Sequence, residues 1–335
     1  MNLKNKSILI TGGTGSFGSA LVSRLLKKEF SLKKLIIFSR DELKQEEMKS
    51  IFPEAKYKNL RYFIGDVRDY QRLLRAFDNV DIVVHAAALK QVPAAEYNPT
   101  EFVKTNVIGA QNVIEASIEK NVKKIISLST DKACAPINLY GASKLCSDKL
   151  FIAANNYSGK SIFSVVRYGN VMGSRGSIIP ILLKQAGKNF LNITDKKMTR
   201  FNITLYQAVD MVIFAIKNSF GSEILVPKIP SYRIMDLAKS IGPSCKINFI
   251  GVRPGEKIHE EMISKSDSYS TYDIGKYYII LSSNNKRLIN KYRKYNIKKV
   301  EKNFSYESNL NKKFLNIKEL RNLIKNNIDE NFKPI

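Results

Sequence analysis

A chain of 335 residues, 44% hydrophobic and 10% aromatic, has enough apolar mass to bury a sizeable core and reads as globular, in one large or two modest domains. MNLKNKSILI lacks the apolar stretch of a secretion signal, and no run reaches the roughly 18 apolar residues of a membrane span, so a cytoplasmic protein with no membrane partner is expected. The formal charge of +25 invites a nucleic-acid reading, but residues 286–335 scatter 14 Lys and Arg and 5 Asp and Glu among many Asn with little aromatic interleaving, which marks a solvated surface, so no nucleic acid is expected. Cys134, Cys146 and Cys245 are odd in number and without CxxC, and His85 and His259 stand apart, so neither disulfide nor metal site is expected.

The first half alternates short β-branched runs (SILIT, KLIIFS, RYFIGD, DIVVHAA, KIISLS, FSVVRYG) with stretches of helical spacing such as FGSALVSRLLKK. The fold class expected is α/β: a Rossmann-like, doubly wound parallel sheet whose ligands bind beyond the carboxyl ends of the strands. The first strand runs into TGGTGSFGSAL, where Gly12, Gly15 and Gly18 let the chain turn sharply and bring a pyrophosphate to the N-terminus of the next helix. The second ends IIFSRDELK. Ser39, Arg40 and Lys44 around Asp41 suit a ribose 2′-phosphate, so NADP is favoured, although Arg40 and Lys44 would equally solvate a helix start that Asp41 caps. At the third strand end Asp66 and Val67 are placed to hold adenine. At the fourth, Ala86 to Lys90 provides small residues for close cofactor approach.

The fifth strand ends in STDK, and Tyr140 and Lys144 follow four apart on one face of the next helix. They form the YxxxK pair of short-chain dehydrogenases/reductases. A phenol of pKa about 10 becomes a usable base beside an ammonium and a nicotinamide cation. Simple dehydrogenases and 4-epimerases of the extended group usually need only a Ser or Thr, here Thr130, beside that pair. The added acid and amine, Asp131 and Lys132, point to elimination. Beyond about Ser177 the alternation loosens into shorter strands (NITD, TRFNIT, EILVPKI, INFIGV, YYIIL) and helices (LYQAVDMVIFAIKN, IMDLAKSI). We expect an NADP-binding unit over 1–176 and a smaller mixed α/β substrate-binding lobe over 177–335, with an approximate boundary that the chain can cross.

The blocks ILITGGTGSFG, FSRDELKQ, FIGDVRD, HAAALKQVPAAEYNP, STDKACAPINLYGASKLCSDKL, FSVVRYGNVMGSRGS, MTRFNITL, ILVPKIPS, GVRPGEKIHE and FSYESNLN closely resemble the inverting UDP-N-acetylglucosamine 4,6-dehydratases, short members of the polysaccharide-biosynthesis dehydratase family, over nearly the whole chain. The resemblance implies Lys132 as the C5 base, Asp131 as the acid at the C6 hydroxyl, and Tyr140 with Lys144 as the oxidation centre. It implies NADP contacts from Thr14, Gly15, Ser16 and Phe17, from Ser39 to Lys44, and from Asp66, Val67, Ala86 and Lys90. For a UDP-sugar it implies Asn170, Arg175, Arg200, Arg253 and Glu256, with Lys90 at the junction; guanidinium forks suit diphosphate oxygens, though each arginine alone could be an ordinary surface ion pair. It further implies UDP-N-acetylglucosamine as substrate, a homo-oligomer, and the first step of pseudaminic acid biosynthesis. TDK rather than TDE, together with Tyr140, supports the inverting branch; Cys134, Phe314 and the Lys/Asn-rich tail depart from the pattern without removing a catalytic group. A 4-epimerase or reductase of the same fold, or a non-catalytic NADP-binding regulator, are the rival expectations.

Overall fold

The computed structural model describes residues 1–174, 176–282 and 286–335. The first half runs β1 (Ser7–Thr11), α1 (Ser16–Leu25), β2 (Lys34–Ser39), α2 (Glu42–Ile51), β3 (Leu60–Ile64), α3 (Tyr70–Ala76), β4 (Ile82–His85), α4 (Val92–Tyr97) and α5 (Pro99–Phe102). A π-helical segment (Val103–Ile108) leads into α6 (Gly109–Glu119), followed by β5 (Lys124–Thr130), a 3-10 turn (Asp131–Ala133), α7 (Leu139–Ala154) and β6 (Ile162–Tyr168). The second half contains β7 (Asn170–Val171), α8 (Ile178–Ala186), β8 (Phe190–Ile193), β9 (Thr199–Ile203), α9 (Leu205–Asn218), β10 (Glu223–Pro227), β11 (Ser231–Arg233), α10 (Ile234–Ile241) and β12 (Lys246–Phe249). It closes with β13 (Glu261–Ile263), β14 (Thr271–Asp273), β15 (Tyr277–Leu281), α11 (Lys286–Lys291), β16 (Lys298–Lys299), β17 (Tyr306–Glu307) and α12 (Ile317–Asn327).

Ten strands form one sheet in the order β16-β14-β15-β10-β6-β5-β4-β1-β2-β3 among the described residues. From β3 to β10 every pairing is parallel, and β15, β14 and β16 add an antiparallel edge. The strand order reverses between β1 and β4, the switch point at which a crevice opens beyond the carboxyl ends. The continuous apolar runs follow from burial on both faces. Ile8 and Ile10 of β1 pack with Leu21 and Val22 of α1 and Val209 and Val212 of α9 on one face. Leu9, with Val83 and Ile125, joins Leu73, Val113 and Phe151 on the other.

A third apolar cluster gathers Ile179 and Leu182 of α8, Leu191 of β8, Leu237 and Ile241 of α10, and Leu320 and Ile324 of α12. Around it the short sheets β11-β9-β7 and β12-β8 make the smaller lobe. That lobe is not one continuous stretch. After β9 the chain returns to the large sheet through α9 and β10, and does so again through β14 and β15. A division at 176 and 177 is therefore one the chain crosses more than once.

At the amino ends of the strands, opposite the crevice, Asp81 accepts from Ser7 N at 3.0 Å and Lys123 Nζ at 2.7 Å, tying β1, β4 and β5 together. Burial pushes this carboxyl up, but the Lys123 and Ser7 hydrogen bonds outweigh it and hold it below the ordinary 3.8. A carboxylate depressed in the folded state stabilises above its unfolded value, and that contribution is lost as pH falls through the folded one. Asp81→Asn should therefore cost about 1.5–3 kcal/mol at neutral pH. Denaturant titrations should show the gap to wild type closing below about pH 4.

Candidate active site

A cavity of about 720 Å³ lies at the carboxyl ends of the parallel strands, between the sheet and the smaller lobe. Gly12, Thr14 to Gly18, Ser39, Arg40, Asp41, Lys44, Asp66, Val67, Ala86 and Lys90 line one part of it. Thr130, Lys132, Tyr140, Lys144, Asn170, Arg200, Arg253 and Glu256 line the rest. Of the residues expected from sequence, Asp131 is fully buried just behind the wall, and Arg175 lies outside the described residues.

The glycine-rich turn works by close approach. Gly12 has φ of 67° and a Cβ there would stand 2.9 Å from the Ala87 backbone, so only glycine lets β1 turn against the end of β4. Helix α1 is N-capped by Gly15 with no side-chain hydrogen bond and no acidic residue in its first turn, and its N-terminus lines the cavity, an arrangement that suits an anion. At the next strand end Thr14 Oγ1 and Ser39 Oγ stand 2.8 Å apart. Asp41 caps α2 by accepting from Lys44 N at 3.0 Å and also pairs with the Lys44 ammonium. Arg40 lies 3.5 Å from Asp66, which Arg68 also binds at 2.8 Å. Burial raises the Asp66 carboxyl, yet the Arg68 hydrogen bonds and the Arg40 charge bring it below the usual range. The uncapped helix, the small strand-end residues and the cationic rim fit a dinucleotide.

The catalytic part is built on β5 and α7. Thr130, the last residue of β5, accepts from Lys132 N at 3.3 Å and so starts the tight turn that exposes Lys132. Helix α7 then packs directly on that turn, because Gly141 has no side chain: a Cβ would come within 2.2 Å of Lys132 O. This contact brings Tyr140 beside Thr130 and Lys132. Burial pushes the Tyr140 phenol up to about 12, against the pull of the Lys132 charge and the Thr130 hydroxyl. Lys144 is lowered by burial, and Asp148, one helical turn on, opposes that shift.

Lys132 Nζ is 3.0 Å from Asp131 Oδ1, 3.1 Å from Glu260 Oε1 and 3.4 Å from Asn170 Oδ1. Burial works against its charge, but the two carboxylates win and hold the ammonium above the ordinary lysine range. Burial raises Asp131 despite Lys132. Glu260 goes the other way: burial would raise it, and Lys132 and Arg200 draw it down. Arg200, expected to be a diphosphate ligand, is already engaged by Glu256 at 3.6 Å and Glu260 at 3.8 Å.

Residues 8–282 match the family described as polysaccharide biosynthesis protein. The chain belongs to that family. It is 51% identical over 330 residues, covering 95% of this chain and 97% of the relative, to a protein named UDP-N-acetylglucosamine 4,6-dehydratase (inverting) from Campylobacter jejuni subsp. jejuni serotype O:23/36 (strain 81-176). It is 44% identical over 330 residues, covering 96% and 95%, to one named UDP-glucose 4-epimerase from Rickettsia akari (strain Hartford). Among solved structures it resembles Pen from Bacillus thuringiensis with a TM-score of 0.89 and 38% identity, covering 97% of this chain and 99% of that one.

Within this polysaccharide biosynthesis fold the site offers two devices: a tyrosine and lysine suited to moving a hydroxyl proton, and beside them an ammonium held by two carboxylates, suited to a second proton transfer. Sequence reasoning missed three supports. Glu260 stands 128 positions from Lys132, and its only signal is the end of the GEKIHE block. Asn106, in the π-helical segment, accepts from Leu89 N and donates to Leu89 O, both at 2.9 Å, fixing the strand end that carries Lys90. Asp148 accepts from Ser129 Oγ at 2.7 Å and pairs with Arg167 at 3.3 Å, locking α7 to β5 and β6; its signal was the i+4 step beyond Lys144. Among the described residues no group of His, Cys, Asp and Glu gathers to hold a metal, and no helix is long and apolar enough to cross a membrane.

Proposed function

We propose that this chain dehydrates UDP-N-acetylglucosamine across C5 and C6 with inversion at C5, using NADP, and gives UDP-2-acetamido-2,6-dideoxy-β-L-arabino-hex-4-ulose, an entry to pseudaminic acid. The observation that carries the reading is the Asp131–Lys132 pair beside Tyr140 and Lys144 on one cavity. The identity to the Campylobacter protein, whose name gives an inverting 4,6-dehydratase of UDP-N-acetylglucosamine, supports the dehydration and the inversion. Arg40 and Lys44 at the second strand end support NADP, the homo-oligomer and cytoplasmic placement belong to the same proposal, and the division of labour has the sheet side hold the dinucleotide while Asn170, Arg200, Arg253 and Glu256 face the UDP-sugar.

When bound, the nicotinamide supplies a hydride acceptor for C4 and later a donor for C6. Tyr140 takes the C4 hydroxyl proton, with Thr130 and Lys144 holding it. The C4 ketone acidifies C5, and Lys132 must then accept a proton although its ammonium is favoured at rest. A direct transfer resolves this: one Nζ–H bond of Lys132 breaks and an Oδ1–H bond forms on Asp131, whose carboxyl is raised by burial above its ordinary range. The result is a neutral amine and a neutral acid. Lys132 removes the C5 proton, Asp131 protonates the departing C6 hydroxyl, and the ammonium–carboxylate pair is restored as water leaves. Thr130, which lines the cavity and donates to Asp131 Oδ1 at 3.0 Å, connects the buried acid to it.

The Rickettsia relative's name keeps a second reading in view: a 4-epimerase would use Tyr140 and Lys144 and retain the C6 oxygen. Mass spectrometry of UDP-N-acetylglucosamine after incubation separates the two, since only dehydration lowers the mass by one water. The purified protein should also carry NADP and turn over without added cofactor, because the hydride taken at C4 is returned at C6. In D2O, deuterium should appear at C5 of an L-arabino product. An unchanged mass, or a D-xylo product, would overturn the reading.

A further inference from the structure

Lys132 projects from a three-residue turn, with its chain neighbour Asp131 at 3.0 Å and Asn170 Oδ1 at 3.4 Å from its Nζ. Its second carboxylate partner comes from far along the chain. Glu260 Oε1 lies 3.1 Å from Lys132 Nζ and 3.8 Å from Arg200 Nε, and the residue is only 2% exposed. Its backbone is held on both sides by one residue: Glu260 N donates to Ser308 Oγ at 2.9 Å, and Glu260 O accepts from Ser308 N at 2.8 Å. Glu260 Oε2 has no hydrogen-bond partner among the described residues. A buried carboxylate with one oxygen idle and the other aimed at Lys132 is costly unless that aim is what the site needs.

On the dehydratase reading above, we propose that Glu260 is the positioning residue for Lys132: it anchors the amine opposite Asp131, so that the elimination step, but not oxidation at C4, depends on it. The two half-reactions then rest on different parts of the molecule. Tyr140 and Lys144 are set by α7 against β5 and β6, whereas Lys132 needs a carboxylate delivered by the segment from Arg253 to Glu260. That segment also carries Arg253 and Glu256 on the cavity wall, and Arg200 links Glu256 to Glu260. The group that strips C5 is thus held in place by the same segment that faces the sugar nucleotide. When Lys132 becomes a neutral amine by passing a proton to Asp131, Glu260 still accepts one of its N–H bonds and keeps the lone pair from rotating away.

The test is a single-turnover experiment with UDP-N-acetylglucosamine on the NADP-loaded full chain, comparing wild type with Glu260→Gln and Glu260→Ala. Reduced nicotinamide is followed by near-ultraviolet absorbance, and water loss by mass spectrometry of quenched samples. A misplacement of about 1 Å at a reacting group costs on the order of 10²-fold, so both variants should lose water about 10²-fold more slowly. Cofactor reduction should stay within about threefold of wild type, and reduced cofactor should accumulate. Loss of the charge or of the side chain through misfolding would slow both steps together, which overturns the proposal. Water loss at the wild-type rate in both variants overturns it too. If wild type itself loses no water, the dehydratase reading falls and takes this one with it; if wild type dehydrates and the variants match it, only the role of Glu260 falls.

Discussion

Lys132→Ala should dehydrate UDP-N-acetylglucosamine at least 10²-fold more slowly than wild type, and as much as about 10⁴-fold, while still reducing bound NADP. The split follows from the geometry. Lys132 is the cationic centre of the Asp131–Lys132–Glu260 cluster, whereas the proposed mechanism assigns the C4 hydroxyl proton to Tyr140 and Lys144 on α7. Some slowing of the first step is expected as well, because the Lys132 charge helps to lower the Tyr140 phenol. The substitution also has a structural signature. Without the ammonium, Asp131 and Glu260 are buried carboxylates with no cation between them, and breaking such a pair costs about 3–5 kcal/mol. Burial then raises the folded-state pKa of at least one carboxyl above its unfolded value, so the variant should regain stability as pH falls and lose it as pH rises. Stopped-flow absorbance, quenched mass spectrometry and melting curves at two pH values check the three parts. Near-native water loss by Lys132→Ala would remove the lysine from the elimination.

Tyr140→Phe should fail earlier, slowing cofactor reduction and water loss together, because the C4 proton loses its acceptor and everything downstream waits on the ketone. The expected loss is on the order of 10²–10⁴-fold in the first reduction step. Phenylalanine keeps the ring that packs with Ala95 and Phe102, so stability should change little. In wild type the phenol must lose its proton to act, and burial holds it up to about 12 in the protein alone. The single-turnover rate of cofactor reduction should therefore rise with pH across the neutral range, and this slope should vanish in Tyr140→Phe. Reduction by the variant at the wild-type rate would reassign the base.

The sheet was legible because its local and global demands agree. Apart from the edge strand β3, the strands of the parallel part are short apolar runs buried on both faces, and the turn after β1 leaves few alternatives, with Gly12 against Ala87. The Tyr140–Lys144 pair was legible for the same local reason, a four-residue step on one helix. So were Asp131 and Lys132, which share one turn. The residues expected to face the dinucleotide follow at successive strand ends, so the order of the sheet places them on one cavity without any knowledge of packing.

Contiguous chain supplies the glycine turn, the strand ends, the acid, the amine and the phenol–ammonium pair, and these groups can be named without knowing how the chain packs. Tertiary structure alone decided their working states. Asp131 reads as the acid at the C6 hydroxyl and lies buried behind the cavity wall; Arg200 reads as a UDP-sugar contact or an ion-pair partner and stands between two glutamates. Lys132 reads as a base and is held as an ammonium, because Glu260 arrives from 128 positions away in a segment whose register depends on Ser308 and β17. The physical reason is range. Backbone geometry is set within a few residues, but the charge of a buried side chain is set by whichever groups the fold brings within about 4 Å, and those come from anywhere in the chain.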